Sequence, residues 1–298
     1  FIPYNRQDVN GIAQMDKKLR FLDLANELAH ANTVLLQTTM GAVAVTEQAI
    51  INEAHERGMV VPNRKQRLTD EDVQAAGAYV AYPKKGLHQW IGSVDINSLY
   101  PSAIRACNMG PETIVGQLRP IMTEHYIQQK MSNGSSFADA WEGLFGSLEY
   151  TAVMNQEIGT DITIDWENGE NDVVSAAEVY RLIYESNQPW MLSANGTIFT
   201  WEREGVIPGL LKRWYAERKQ LQAEMGKYNE LTEKATADEQ KKEYKKQAAF
   251  YDQRQLIKKI LLNSLYGAVG NPGSRFFDPR IAQSTPLSGR CIVKHMGS

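Results

Sequence analysis

Few cheap clues to function are present in this sequence. Two cysteines occur among 298 residues, Cys107 and Cys291, far apart and without a CxxC pair. Neither a zinc site nor a disulfide framework can be assembled from them, and a reducing compartment is the plain expectation. No run approaches the roughly 18 to 20 apolar residues that cross a bilayer; the greasiest stretch, residues 33–45, is broken by Gln37, Thr38, Thr39 and Gly41. The chain is therefore not expected to span a membrane. It has no GxxxxGKS/T loop and no GxGxxG, so the common nucleotide-binding loops do not explain it. His30, His55, His88, His125 and His295 are scattered without an HExxH spacing and read as structural or surface residues. The first residue is Phe1, and residues 1–10 have neither the basic start nor the apolar core of a signal peptide. Residues 284–298, with Pro286, Gly289 and Gly297, form no obvious closing element, so both ends are expected to be cuts through a longer polypeptide.

What is there is ordinary for a globular chain: 43% hydrophobic, 22% charged and 9% aromatic residues. The net charge of −3 alone argues against a phosphate-rich partner. The average hides a polarity, however. Residues 206–267 hold 13 lysines and arginines against 8 acidic residues, so one basic segment sits in an acidic remainder. Charge alone favours a solvated helical hairpin with mixed charges, so position has to decide.

Periodicity predicts a helix over residues 8–31, with Ile12, Met15, Leu19, Leu22, Leu24 and Leu28 on a stripe that packs on something larger. A second helix is expected over 46–57, ended by Gly58, then a polar connector and a boundary near residue 75. Residues 78–82 and 91–96 read as strands. Residues 190–194 and 197–201 flank Asn195-Gly196 and predict a hairpin with both turn residues at positive φ. Helices are expected over 122–150 and 173–187, around a loop-rich acidic patch at 161–172. Pro208 opens a long helix to about residue 231, and a second runs over about 236–266 as its antiparallel partner.

Two places could carry chemistry. In Val94-Asp95-Ile96-Asn97-Ser98-Leu99-Tyr100-Pro101-Ser102 an apolar strand ends in a carboxylate before a turn and a new helix, with Pro101 suited to its first position. A carboxylate near a helix start could hold Mg²⁺ beside phosphate, because that ion takes one or two protein carboxylates and fills its shell with phosphate and water. An Asp that merely caps a turn reads the same way. The other place is the last long helix. Lys259, Asn263 and Tyr266 lie within about 60° of one another at 100° per residue, with Gly267 at the end of the stripe. A lysine suits phosphate as a point charge and an aromatic face suits a base. On the partner helix Arg218 lies in the apolar stripe of Leu211, Trp214, Leu221 and Met225, where it needs an anion. Glu217 and Glu224 flank it awkwardly, leaving a ligand phosphate or a salt bridge elsewhere in the protein.

Taken together, Asp95-Ile96-Asn97-Ser98-Leu99-Tyr100-Pro101-Ser102 and Lys259-Ile260-Leu261-Leu262-Asn263-Ser264-Leu265-Tyr266-Gly267 resemble the first and second polymerase motifs of family B DNA polymerases, DxxSLYPS and KxxxNSxYG. Residues 108–116, Gly205-Val206-Ile207-Pro208 and residues 267–278 look like the subgroup of T-even-type bacteriophage replicative enzymes. The resemblance implies an α+β fold: a palm with antiparallel strands, a long antiparallel helical hairpin as fingers, N-terminal helices, and an incomplete right hand. It divides the chain into the end of a 3′–5′ exonuclease at 1–12, a helical connector at 13–75, palm at 76–205, fingers at 206–267 and a return to palm at 268–298. It further implies nucleotidyl transfer with two Mg²⁺ ions, Asp95 and the Ile96 carbonyl as metal ligands, and Ser98, Leu99, Tyr100, Arg218, Lys259 and Asn263 around the incoming dNTP. Tyr100 would exclude a 2′-hydroxyl, and Tyr266 and Gly267 would lie on the nascent base pair. Tyr4-Asn5-Arg6-Gln7-Asp8 resembles the third exonuclease motif, with Asp8 on a further divalent metal and Tyr4 placing the attacking water. Gly77-Ala78-Tyr79-Val80 resembles a template-contacting segment. Primer-template DNA, dNTPs and a sliding clamp are the implied partners, in the cytoplasm, or the host cytoplasm if viral. Two departures stand out. The second basic residue one turn after the arginine is Gln222 here, so the triphosphate grip would be looser or shared with Lys219, and the DTDS-type third motif is not in this chain. A segment or subunit carrying that motif is implied, and a non-catalytic DNA-binding subunit of a split polymerase is the alternative.

Overall fold

The computed structural model describes residues 1–63, 78, 83, 85–121, 123–135, 140 and 146–297, with the backbone alone at 123–125. In chain order the helices are α1 (Ile2–Leu19), α2 (Phe21–Asn32), α3 (Ala42–Glu56) and α4 (Leu99–Ala106). Strand β1 (Ile114–Leu118) and helices α5 (Thr123–Ser132) and α6 (Leu148–Met154) follow, then β2 (Asp161–Trp166), β3 (Asn171–Ser175) and α7 (Ala176–Tyr184). The chain continues with β4 (Trp190–Leu192), β5 (Thr197–Thr200), α8 (Val206–Lys234), α9 (Asp238–Val269) and α10 (Pro279–Gly297). The fold is mixed α and antiparallel β, as expected. Among the described residues no helix is long and apolar enough to cross a membrane. Two compact units divide the chain: Phe1–Val61 with Lys212–Ala268, and Pro62–Leu211 with Val269–Ser298.

The first unit is helical. The predicted helix over 8–31 starts earlier and breaks at Arg20, which adopts left-handed φ 54°. The break is stabilised locally: Asp16 accepts from the Leu22 amide at 3.0 Å, and Arg20 Nε donates to Asp23 at 2.7 Å. The stripe of Ile12, Met15, Leu19 and Leu22 is exposed, so the expected packing of α1 is not found among the described residues. Ala29 of α2 and Val45, Ala49, Ile50 and Ala54 of α3 are buried. Buried Glu53 is neutralised by Arg57 at 2.8 Å and Arg213 at 2.7 Å, which fixes α3 to the start of the hairpin's share of this unit. Along that hairpin, Glu217 pairs with Lys258, Arg218 with Gln255, and Tyr228 stacks on Tyr251 with centroids 5.5 Å apart. Contacts that climb α8 while descending α9 establish the antiparallel pairing read from a turn at 232–237, which the structure narrows to 235–237.

In the second unit a five-stranded sheet runs β3-β2-β1-β5-β4, every neighbour antiparallel. Leu118, Ile162, Ile164, Leu192 and Ile198 turn one face toward Ala152 and Val153 of α6 and Val179 and Ile183 of α7. Central β1 was not anticipated. Its Gly116 explains part of the difficulty: a Cβ there would stand 2.9 Å from the Trp166 ring, so the position must forgo a strand-forming side chain. The acidic patch at 161–172 is a hairpin, not a loop. Ile162 and Ile164 point inward while Asp161 is exposed, an alternation that the acidity obscured. Val173 and Val174 belong to β3, and helix α7 starts at Ala176 with Ser175 and Glu178 forming a capping box.

The 190–200 hairpin is present, but its turn differs. Gly196 alone has positive φ, at 79°; its amide donates to Ser193 O at 2.8 Å, and the Ser193 amide donates to Thr197 O at 2.9 Å. The three-residue connection with glycine at the left-handed position replaces the two-residue turn. Residues 91–96 are not a strand. They join no ladder among the described residues. The reading of 78–82 as a strand falls outside the described residues apart from Ala78. Residues 284–297, read as a mixed segment, lie in helix α10. Pro286 sits inside it, and the lost backbone bond is offset by burial of Ile281, Ala282, Pro286 and Leu287.

Asn108, fully buried with φ 53°, ties this unit together. Its Nδ2 donates to Thr200 O at 2.7 Å and Arg203 O at 2.8 Å, and its Oδ1 accepts from the Gly205 amide at 2.9 Å, immediately before α8. Asn108→Ala would orphan three backbone groups and leave a Cβ-only residue in a left-handed conformation. A loss of about 3 kcal/mol in urea unfolding is expected; a loss below about 1 kcal/mol would show that water replaces the amide there.

Candidate nucleotide-transfer site

Asp95 is exposed within residues 91–96 and has no hydrogen-bond or ion-pair partner among the described residues. After it the chain turns through Ser98, left-handed at φ 53°, into α4. Ser102 secures that turn twice, its hydroxyl donating to Asn97 O and its amide to Ser98 O, each at 2.9 Å. No side chain caps the helix start. Pro101 is the third helical residue rather than the first, and it is buried with Ala103 and Ile104, so one side of α4 is anchored. Ser98, Leu99 and Tyr100 are half-buried at its open end. Behind them runs α10, seated by Ser284 on Ser193 at 2.9 Å and on Thr197 at 3.2 Å, and by the Ala194 amide donating to Ser288 Oγ at 3.3 Å.

In the other unit, α9 buries Ile257, Leu261, Leu262, Leu265 and Ala268 and exposes Lys259, Asn263 and Gly267, with Tyr266 half-buried beside them. The predicted polar stripe is therefore real. Lys259 and Asn263 have no partner among the described residues. Arg218 on α8 is half-buried, and its guanidinium Nε donates to neutral Gln255 at 3.3 Å. Gln255 is one turn before Lys259 on the same face, so Arg218 joins the Lys259–Asn263 stripe. Its flanking acids are engaged elsewhere: Glu217 with Lys258 and Arg213, Glu224 with Lys227. Among the described residues Arg218 makes no ion pair, which removes the salt-bridge alternative there. Gln222 also points at Gln255, at 3.5 Å, and Lys219 lies over the Tyr215 ring. Sequence reading missed Gln255, although its spacing of four from Lys259 was visible.

Tyr4 and Asp8 are exposed, four residues apart on α1. Gly77 and Tyr79 lie outside the described residues. Among the described residues no group of three or more His, Cys, Asp or Glu gathers as a metal cage, so Asp95 contributes a single carboxylate. Burial pushes the thiols of Cys107 and Cys291 up to about 11, which keeps them protonated and unreactive near neutrality.

The family profile described as DNA polymerase family B matches residues 33–298. The chain is 24% identical to the DNA-directed DNA polymerase of Escherichia phage RB69 over 99% of its own length and 31% of that protein. It is 26% identical to the enzyme of the same name from Enterobacteria phage T4, again over 99% of this chain and 31% of the relative. It thus spans about a third of the length of these two relatives. Among solved structures, the family B DNA polymerase from the hyperthermophilic archaeon Pyrobaculum calidifontis superposes with TM-score 0.56 at 20% identity, covering 95% of this chain and 27% of that one. That likeness shows the fold alone, a mixed architecture of antiparallel sheet and long helices. With the profile covering most of the chain, this protein belongs to the family B DNA polymerases.

Proposed function

We propose that this chain carries the first two motifs of a template-directed DNA polymerase that adds dNTPs to a primer 3′-hydroxyl. In that reading residues 76–205 and 268–298 are palm, 206–267 fingers, 13–75 a connector and 1–12 the end of a 3′–5′ exonuclease, with Tyr4 and Asp8 in its site. The observation that carries the proposal is the cationic stripe on the hairpin. Arg218 and Lys259 share one polar face with Asn263 and have no protein carboxylate among the described residues, an arrangement suited to a ligand with several phosphates.

Asp95 supports divalent-metal binding by its chemistry: an exposed, unpartnered carboxylate suits Mg²⁺ that draws most of its ligands from phosphate and water. Asp95 and the Ile96 carbonyl would hold the two ions. When bound, they would supply positive charge that favours ionisation of the primer hydroxyl and stabilises the pyrophosphate leaving group. The segment from Ser98 to Tyr100 would receive the phosphates and sugar at the uncapped start of α4. Arg218 and Lys259 would neutralise the triphosphate, while Asn263, Tyr266 and Gly267 pack on the nascent base pair and Gly77 and Tyr79 contact the template. The third motif, primer-template DNA and a sliding clamp complete the assembly.

Tyr100 gives a direct test. In the enzyme that includes the third motif, Tyr100→Ala is expected to raise ribonucleotide use relative to deoxyribonucleotide use about a hundredfold in kcat/KM, the relief of one steric clash of roughly 3 kcal/mol. An unchanged ratio would remove the sugar-gate assignment.

A further inference from the structure

Gly289 occupies the interior of α10, within a stretch from Ser284 to Arg290 that is buried throughout. Glycine is a poor choice there, destabilising a helix by roughly 1 kcal/mol relative to alanine. Its backbone is ordinary helix and asks for no positive φ. The reason for it lies in what covers it. A Cβ on Gly289 would stand 3.2 Å from Tyr100 Cε1 and 3.5 Å from both Tyr100 Cδ1 and Leu99 Cδ2. The helical glycines Gly11, Gly226, Gly267 and Gly297, by contrast, have open space at that position. The edge of the Tyr100 ring therefore rests directly on the α10 backbone.

Neither wall of this contact can retreat easily. On one side Ser284 and Ser288 hold α10 to the residues around the β4–β5 turn. On the other, α4 is anchored by buried Pro101, Ala103 and Ile104. A carbon at 3.2 Å is inside the 3.5–4.0 Å optimum for carbon contacts, so an added methyl would be accommodated by displacement of the ring. We propose that Gly289 is a positioning residue for sugar selection: by lacking a side chain it sets how deeply the Tyr100 ring withdraws, and so how much room remains beside the nucleotide sugar. This rests on the reading of Tyr100 as the sugar gate.

The test is a double-mutant cycle in the enzyme that includes the third motif, comparing kcat/KM for a dNTP and its matching rNTP. Gly289→Ala is expected to change the ratio at least threefold, mainly through KM, without lowering the unfolding midpoint. In a Tyr100→Ala background, where the ring is gone, the same substitution should change the ratio less than 1.5-fold, the non-additivity expected of touching groups. An unchanged ratio in Gly289→Ala beside a large change in Tyr100→Ala would overturn the positioning role alone. An equal effect in both backgrounds would also overturn it. An unchanged ratio in Tyr100→Ala would overturn the gate reading and this proposal together. Should Gly289→Ala fold poorly, Tyr100→Ala is expected to restore the midpoint by vacating the space, and failure to do so would refute the contact.

Discussion

Replacing Asp95 by asparagine is expected to lower primer extension by about 10³-fold or more, in the enzyme that includes the third motif and at saturating dNTP and Mg²⁺. The substitution keeps size and shape and removes the negative charge. A ligand contact that stabilises developing charge is worth several kcal/mol, and each 1.36 kcal/mol is tenfold in rate. The fold should not notice. Asp95 is exposed and bonded to nothing among the described residues, so the unfolding free energy should stay within about 0.5 kcal/mol. Single-turnover incorporation measured beside primer-template affinity separates the two roles: rate falls steeply, while DNA binding changes at most a few-fold. A variant that retains near-normal incorporation would reduce Asp95 to a turn residue, and the metal assignment would go with it.

The long hairpin was legible because its signals are local. Pro208 near the start of α8, apolar periodicity along both helices and a polar turn read at 232–237 each act within a few residues. The two motifs were legible for a related reason: their chemistry needs particular side chains at short spacing. What escaped the reading depends on distant partners. Strand β1 is central because β2 and β5 flank it, and Gly116 makes sense only against Trp166. Residues 91–96 have strand composition but no ladder among the described residues, so composition overstated them. Helix α10 tolerates Pro286 because its surroundings bury the whole stretch from Ser284 to Arg290 around it, which local propensity cannot foresee. Likewise Gln117, the Ser193–Thr197 turn and Ser284, from three distant parts of the chain, share one side-chain hydrogen-bond network. Arg218 was anticipated as a cation in need of an anion, but its relation to Gln255 required the register of α8 against α9.

That register also gives the sharpest contrast within one helix. Lys258 and Lys259 are adjacent, about 100° apart around α9, and their surroundings assign them different work. Lys258 is held by Glu217, whereas Lys259 is exposed and unpartnered among the described residues. Lys259→Ala and Arg218→Ala are each expected to raise KM for the incoming dNTP by about 10- to 100-fold, the loss of one charge-assisted contact worth roughly 1.5–3 kcal/mol. Lys258→Ala should shift KM less than about threefold, since its charge is already satisfied by the protein. Lys259→Arg should recover only part of the loss, because a planar fork replaces a compact point charge. The double variant should lose less than the sum of the single losses if both cations grip one triphosphate. Steady-state KM across these five enzymes decides the matter. If Lys258→Ala proves as costly as Lys259→Ala, the unpartnered stripe is not the nucleotide's seat, and the cations of this hairpin act through fold stability instead.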